Sequence, residues 1–599
     1  MGVPSFFVWL TKTFCNKNFI KTNVSNPKYL FIDANCLIHP ICFLVLHQFN
    51  TLAKENGKII STEELEKNMM DEIVNYIVAM ITSIESQHVY IAVDGVAPMA
   101  KILQQRKRRY KAYIENITRN EIKKKYDMMP IIDWSNMKIT PGTPFMEKLH
   151  ERLTELSKMT FLKTKTIIYS SYLECGEGEH KILQFIKKHK LNWQNEIDNN
   201  LLLDPIIIYG LDADLIFLAL SSNCDNIYLM REKDQIKELE SPTIDKSYNG
   251  NKQSEFLNKF NFVYLQSIIQ DFYDKIASKC QDKFDSLTIQ NVKNDFIFLC
   301  FFVGNDFIPS IPSICIKNRG LDQIINSYIE CLIETQINLI QNGKINQIFL
   351  QQLFNKLAVD EIENYISIIE NNKKKRNYVY NSKLSSKENA FQKEIWDYEN
   401  NINVRQLQAI HVISEYRNCD AFVKNIFYDK FTGINEYYDE SIEKLVSKYL
   451  EGLKWNFEYY FNSCPSHMWY YPHHIAPFFS DICKYLMIRD CNDINKFVFS
   501  NNETKLHPFE QLMLAIPKQY HDMLNVDLRK CIDYDGKHLS AFYDNLYFDV
   551  TKNVLWKSIP LMLPLQIDTI QTIYSQYISN ESKLKSTEST KSTKIENIN

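Results

Sequence analysis

Between Pro27 and Tyr209, four short apolar runs recur, separated by longer segments whose apolar residues follow helical spacing. The runs are Tyr29 to Ile32, Val89 to Val93, Thr166 to Tyr169 and Pro205 to Tyr209, and each is nearly all apolar. A strand covered on both faces reads this way, whereas a strand with one wet face alternates. Strands alternating with helical segments predict βα units, hence an α/β fold with a mainly parallel central sheet flanked by helices. A fifth apolar run, Phe296 to Val303, is read as helical. Two stretches break the pattern: an Asn/Lys-rich run from Asn371 to about Glu388, expected to be a linker, and a tail from about Ser582. The tail holds almost no large apolar residue, so ordering it would bury too little to offset the lost entropy.

The chain has 599 residues, enough for a sizeable core, and a formal net charge of −3. That balance excludes a polycation that coats nucleic acid, so any such contact must come from locally concentrated charge. Fourteen cysteines are present, none in a C-x-x-C pair, which predicts reduced thiols and no zinc ribbon. The N-terminus lacks a basic stretch followed by an apolar signal core, and the longest apolar run falls far short of the ~20 residues of a membrane span. A soluble intracellular protein without membrane contact is expected. Met1-Gly2 opens like a myristoylation site, but Phe6 stands where Ser or Thr is required.

Acidic residues gather just past the predicted strands. Asp33 follows the first run and Asp94 the second; Glu177 and Glu179 come soon after the third; Asp212 and Asp214 follow the fourth. In an open parallel sheet, groups beyond the C-terminal strand ends converge on one crevice. Asp306, in Gly304-Asn305-Asp306, follows the helical run and is expected at the same edge. A single Asp after a strand is as often a helix cap or turn former. Two paired carboxylates together with Asp33 and Asp94 are hard to obtain from capping alone. Close like charges raise one another's pKa, so the group calls for cations. All-oxygen ligands favour Mg²⁺ first and Mn²⁺ second over zinc. Two such ions suit phosphodiester hydrolysis.

Directly after Asp94, Pro98 suits a helix start, and a cation-rich helical segment runs to about Tyr126. Lys101, Gln105, Arg108 and Arg109 stand at i, i+4, i+7 and i+8, on one face. Taken alone, a basic helix face is usually only solvated surface. Beginning one turn past a metal-ligand candidate, it becomes a clamp for a terminal phosphate, whose oxygens an arginine fork can take in pairs.

These residues resemble the XRN 5′→3′ exoribonucleases, relatives of the flap endonucleases and PIN-type nucleases. The resemblance lies in Met1-Gly2-Val3-Pro4 with Phe6-Phe7 and Trp9-Leu10, Ile32-Asp33-Ala34-Asn35 with Ile38-His39, Asp94-Gly95-Val96-Ala97-Pro98, and Gln104-Gln105-Arg106 with Arg108-Arg109. It continues through Thr140-Pro141-Gly142-Thr143, Gly176-Glu177-Gly178-Glu179-His180-Lys181, Tyr209-Gly210-Leu211-Asp212-Ala213-Asp214 and Val303-Gly304-Asn305-Asp306-Phe307. A second family region is echoed in Trp469-Tyr470-Tyr471-Pro472, Ala476-Pro477, Ser480-Asp481 and Pro508-Phe509-Glu510-Gln511-Leu512-Met513, and more weakly in Trp556 with Leu561 to Pro564.

The resemblance implies a nuclease core over residues 1–355, a variable linker over 356–400, a largely helical second region over 401–580 closing the active site, and a disordered tail over 581–599. It implies metal binding by Asp33, Asp94, Glu177, Glu179, Asp212, Asp214 and Asp306, with two Mg²⁺ ions, and a 5′-phosphate pocket of Lys101, Gln105, Arg108 and Arg109. His39 and, by choice among the tryptophans, Trp469 would bracket stacked bases. The implied activity is processive 5′→3′ decay of 5′-monophosphorylated single-stranded RNA to mononucleotides by a monomer, in the cytoplasm or else the nucleus, with decapping machinery as a functional partner. Ala34 and Cys36 flank Asn35 where the family usually has a larger residue and Gly, and His467 stands where it often has Trp. Two rivals share parts of this pattern. A flap-type DNA endonuclease would need a duplex grip that is not visible, and a degenerate fold kept as an RNA-binding scaffold would have lost ligands.

Overall fold

Strands β1 (Ile20–Lys21), β2 (Tyr29–Asp33), β3 (His88–Ala92), β4 (Thr166–Ser170), β5 (Ile206–Tyr209), β6 (Ile227–Glu232) and β7 (Phe260–Tyr264) form one sheet. Their spatial order is β1-β7-β6-β5-β2-β3-β4. The computed structural model describes residues 6–13, 19–57, 59–156, 158, 165–195, 204–233, 256–280, 287–372, 377–400, 413, 415, 419–432, 439–488, 493–500, 505–535, 547–548, 560–561 and 567–579. β2 pairs in parallel with β3 and β5, β3 with β4, and β5 with β6. Only the pairings of β7, with β6 and with β1, are antiparallel, at one side. The four expected strands are thus β2 to β5, and the mainly parallel α/β fold is as anticipated.

The apolar runs are explained by burial on both faces. On β2, Phe31 joins one core while Leu30 and Ile32 join the other. β4 lies at the sheet edge, and Ile168 there is 40% exposed. Because β3 and β4 lie to one side of β2 and β5 and β6 to the other, the chain reverses its winding between β2 and β5. Crevices open at such switch points beyond the strand ends.

The core on the Phe31 face continues without a break into a helical second region, through Tyr449, Leu453, Trp455 and Phe478. A third core joins Val96, Met99 and Ile102, around the start of the basic helix Met99–Lys125, to Leu512, Met513, Ile516 and Ile570. The second region therefore grips the sheet and the basic helix together.

The stretch expected as a linker carries the helices Glu361–Asn372 and Ser386–Asn400. The second of these lies against the basic helix, with Arg119 Nη2 2.8 Å from Glu399 Oε1 and Lys125 Nζ 2.7 Å from Glu394 Oε2. Met1 to Pro4, Trp556, the residues from 562 to 564 and the tail lie outside the described residues. Among the described residues one helix, Asn35–Asn56, is long and apolar enough to cross a membrane by length and composition. Its Leu37, Ile38, Ile41, Cys42 and Val45 are buried in the core beneath the sheet.

Candidate active site

Asp33 ends β2, opposite Ala92 of β3, and the backbone then turns into a helix, with Ala34 N–H donating to Ala92 O at 2.9 Å. Asp94 lies two residues beyond β3. Its backbone N–H donates to Asn35 Oδ1 at 3.0 Å, and its Oδ1 accepts from Gly178 N–H at 2.6 Å. Gly178 opens the helix Gly178–Asn195, so a helix N-terminus faces the acidic residues. A side chain at this position would push Asp33 aside: a Cβ on Gly178 would stand 2.7 Å from Asp33 Oδ1. Asp212 and Asp214 follow β5, Asp214 opening the helix Asp214–Ser221. Asp306 arrives from the far side of the core, after the helix Ile289–Leu299 and the turn Cys300–Val303.

The seven carboxylates form one electrostatic group. Asp33 is raised by burial and then by Asp94 and Asp212. Glu179 is raised by burial and then by Glu177, Asp214 and Asp212. Asp214 feels burial first and Asp306 next, and Glu177 feels both Asp94 and Asp306. Asp33 and Asp214 are each pushed up to about 8. Asp94 is raised by burial although Gly178 donates to it. Burial raises Asp306, but the nearby positive charges, Lys101 foremost and Arg108 after it, together hold its carboxyl below the usual range.

Lys101 is drawn into this group. Its Nζ stands 2.5 Å from Glu177 Oε1 and 2.7 Å from Asp306 Oδ2. The expected phosphate ligand thus neutralises two carboxylates instead of lying open on the helix face, since buried ammonium and carboxylate groups each need an opposite charge. Gln104 Nε2 reaches the other oxygen of Asp306 at 3.4 Å.

Among the described residues, no three His, Cys, Asp or Glu side chains already form a cage for a metal ion. The donor set nevertheless fits a hard cation. Asp33 Oδ1, Glu179 Oε2 and Asp214 Oδ1 are buried without a hydrogen-bond partner, and orphaned carboxylate oxygens are costly unless a cation meets them. Cys36, where the family usually has Gly, donates its S–H to Asp33 Oδ2 at 3.1 Å and leaves Oδ1 as the unpaired oxygen.

Further along the basic helix, Gln105 and Arg109 are buried while Arg108 is exposed. Arg109 Nη2 donates to Thr140 Oγ1 at 2.8 Å, and its Nη1 is buried with no partner. Burial, then Arg108, draws the pKa of Arg109 down, a strain that an anion would relieve. His39 adjoins both arginines. Burial first, then Arg108 and Arg109, lowers it to about 4, so its ring is neutral at physiological pH and able to stack.

From the second region, Tyr459 OH donates to Glu177 Oε2 at 3.1 Å. Its ring lies on His180, with centroids 4.2 Å apart, and on Trp455 at 4.9 Å. Trp469 is at the far end of this stack, 5.0 Å from Trp455, with its Nε1 buried and unbonded among the described residues. One face of the tryptophan expected to stack on bases is therefore already covered by Trp455. His467 is bound to the basic helix, its carbonyl accepting from Met99 N–H at 2.8 Å. Lys181 holds the loop around Asp94, donating to Val93 O at 2.8 Å and Ser171 O at 2.7 Å. Tyr459 and Lys181 were not expected as site residues. Lys181 lies in the Gly176–Lys181 motif, but Tyr459 stands in an aromatic run that reads as core.

Two family models match the chain. The one described as the XRN 5′-3′ exonuclease N-terminus covers residues 1–233, and the one described as the Xrn1 helical domain covers 286–424 and 419–598. The 5′-3′ exoribonuclease 1 of Homo sapiens is 26% identical over 588 residues, spanning 91% of this chain and 32% of that protein. That of Saccharomyces cerevisiae is 25% identical over 666 residues, spanning 91% and 41%. The 5′-3′ exoribonuclease 2 of Gallus gallus is 25% identical over 677 residues, spanning 94% and 68%. The chain thus spans less than half the length of these exoribonuclease 1 relatives.

Proposed function

The chain belongs to the XRN 5′-3′ exonuclease family, and from that premise we propose that it is a processive 5′→3′ exoribonuclease acting on 5′-monophosphorylated single-stranded RNA. The observation that carries the reading is the convergence of seven carboxylates at one sheet edge, beside a helix whose Arg109 holds a buried, unpaired guanidinium nitrogen. Asp33, Asp94, Glu177, Glu179, Asp212, Asp214 and Asp306 would hold two Mg²⁺ ions, with Mn²⁺ as substitute. Such ions supply an activated water and stabilise the departing oxygen.

The chain's own groups do the remainder. Asn35 and Gly178 fix Asp94 from both of its ends, and Tyr459 orients Glu177. Gln105, Arg108 and Arg109 receive the terminal phosphate, and Lys101 supplies positive charge between that pocket and the carboxylates. The neutral ring of His39 offers a stacking face. Each cleavage creates a new 5′-monophosphate that fits the same pocket, which is the physical basis for processivity. A 5′-hydroxyl would leave the donors unpaired, and a cap or triphosphate exceeds a pocket built for one phosphate.

The test is digestion of 5′-monophosphate, 5′-hydroxyl and circular RNA side by side, with and without Mg²⁺. Mononucleotide release from the monophosphate substrate alone, dependent on Mg²⁺, is expected. Cleavage of circular RNA, or of a branched DNA flap in preference to RNA, would assign an endonuclease instead. Binding without cleavage under any metal would assign a scaffold.

A further inference from the structure

The helix Pro508–Ala515 of the second region lies on the basic helix, and Arg106 Nη1 ties the two by donating to Leu514 O at 2.9 Å. Its start is held rigid by a capping box in which His507 Nδ1 accepts from Phe509 N–H and Glu510 accepts from His507 N–H. One turn in, Gln511 is 1% exposed, with its amide between the Ala97 backbone and the Gln105 side chain.

The polarity of this contact follows from a single group that cannot reverse. Ala97 N–H can only donate, and it donates to Gln511 Oε1 at 3.1 Å. The other end of the Gln511 amide is therefore NH₂, a donor that needs an acceptor. Gln105 Oε1 supplies it, 3.3 Å from Gln511 Nε2. That contact commits Gln105 in turn: its oxygen faces inward, and its NH₂ is the end left for the pocket. Among the described residues, no acceptor meets Gln105 Nε2. Without the relay a glutamine could equally turn its oxygen outward, toward an incoming phosphate, and repel it.

We infer that Gln511 is a positioning residue for 5′-end recognition: it locks Gln105 with its donor end toward the phosphate. The inference rests on the proposed phosphate pocket and adds a residue to it from 406 positions downstream. It also makes the second region part of end selection, because the loop after Asp94, the clamp helix and the Pro508–Ala515 helix share one hydrogen-bonded line.

The test compares Gln511→Glu, Gln105→Ala and the double variant. A glutamate at 511 still accepts from Ala97 but has no N–H to give Gln105. Gln511→Glu is expected to raise KM for 5′-monophosphate RNA about tenfold more than for 5′-hydroxyl RNA, leaving the Mg²⁺ concentration for half-maximal rate in place. In the Gln105→Ala background the same substitution should add nothing, since coupled residues are non-additive. If Gln511→Glu weakens both RNAs equally, or costs the same with and without Gln105, Gln511 is only a packing residue and the inference fails. If Gln105→Ala leaves end preference intact, the pocket assignment itself is wrong, a different failure. Should Gln511→Glu not fold, Gln511→Met removes the donor without adding charge, and the same pair of comparisons applies.

Discussion

At Gly178 the absence of a side chain is a requirement of the site. Its N–H donates to Asp94 while the space a Cβ would occupy lies 2.7 Å from Asp33 Oδ1 and 3.3 Å from Ala92 O. Gly178→Ala should therefore displace Asp33 and abolish most hydrolysis while the protein keeps a cooperative thermal transition. Near-parental turnover in a folded variant would show that Asp33 does not need this position. Asp94→Ala and Asp212→Ala should each cut the rate by at least ~10³-fold, because a cation's stabilisation of the transition state is worth several kcal/mol. RNA binding should persist through the arginines, measured by filter retention, and undiminished hydrolysis in Mg²⁺ would refute the metal assignment. The carboxylates were legible in the sequence because a strand end is itself a positional signal. Tyr459 and Gln511 were not: they reach the site from 282 and 414 residues away, respectively, and a single sequence does not encode which distant residue folds back.

One element, the basic helix, does three jobs on three sides. Met99 and Ile102 bury into the core shared with Leu512 and Ile516, Lys101 turns to the carboxylates, and Arg109 faces Thr140 and His39. Periodicity locates the charged face but does not show which of its cations pair internally, as Lys101 does with Glu177 and Asp306. Replacing Arg108 and Arg109 together with Ala should compress the preference for monophosphate over hydroxyl ends by at least ~10-fold, as the buried Arg109 donor that a hydroxyl end leaves unpaired costs ~1–3 kcal/mol and the exposed Arg108 adds charge. The measurement is the ratio of kcat/KM for the two RNAs, and an unchanged ratio would move end recognition to another element. Among the strands, β2 to β5 were legible because both faces are buried. β6 and β7 escaped notice because Tyr228, Arg231, Asn261 and Tyr264 are only half-buried and interrupt the apolar runs toward the antiparallel side of the sheet.

For the whole molecule, the acidic crevice is a debt that folding carries and cations relieve. Burial and the neighbouring carboxylates raise Asp33 from 3.8 to about 8, so its ionised form is strongly disfavoured in the folded state at neutral pH. The group therefore keeps protons or gains cations, as the ammonium of Lys101 between Glu177 and Asp306 illustrates. The sign follows directly. Asp33 and Asp214 have folded pKa values above their unfolded ones, so their contribution to stability is fully present below about 4 and is lost as pH rises through about 8. On the proposed metal assignment Mg²⁺ would bind the deprotonated form, and at a hundredfold excess over its Kd it would add ~2.7 kcal/mol to the folded state. Thermal unfolding in EDTA should thus give a Tm that falls between about pH 6 and about pH 8, and the rise in Tm on adding Mg²⁺ should be larger at the higher pH. Asp214→Asn should make the EDTA profile shallower and shrink the Mg²⁺ effect together, because Asp214 contributes to both, with Asp33 leaving a residual slope. An equal Mg²⁺ shift at the two pH values would mean that the ion binds elsewhere and that the carboxylates at the sheet edge are not its site.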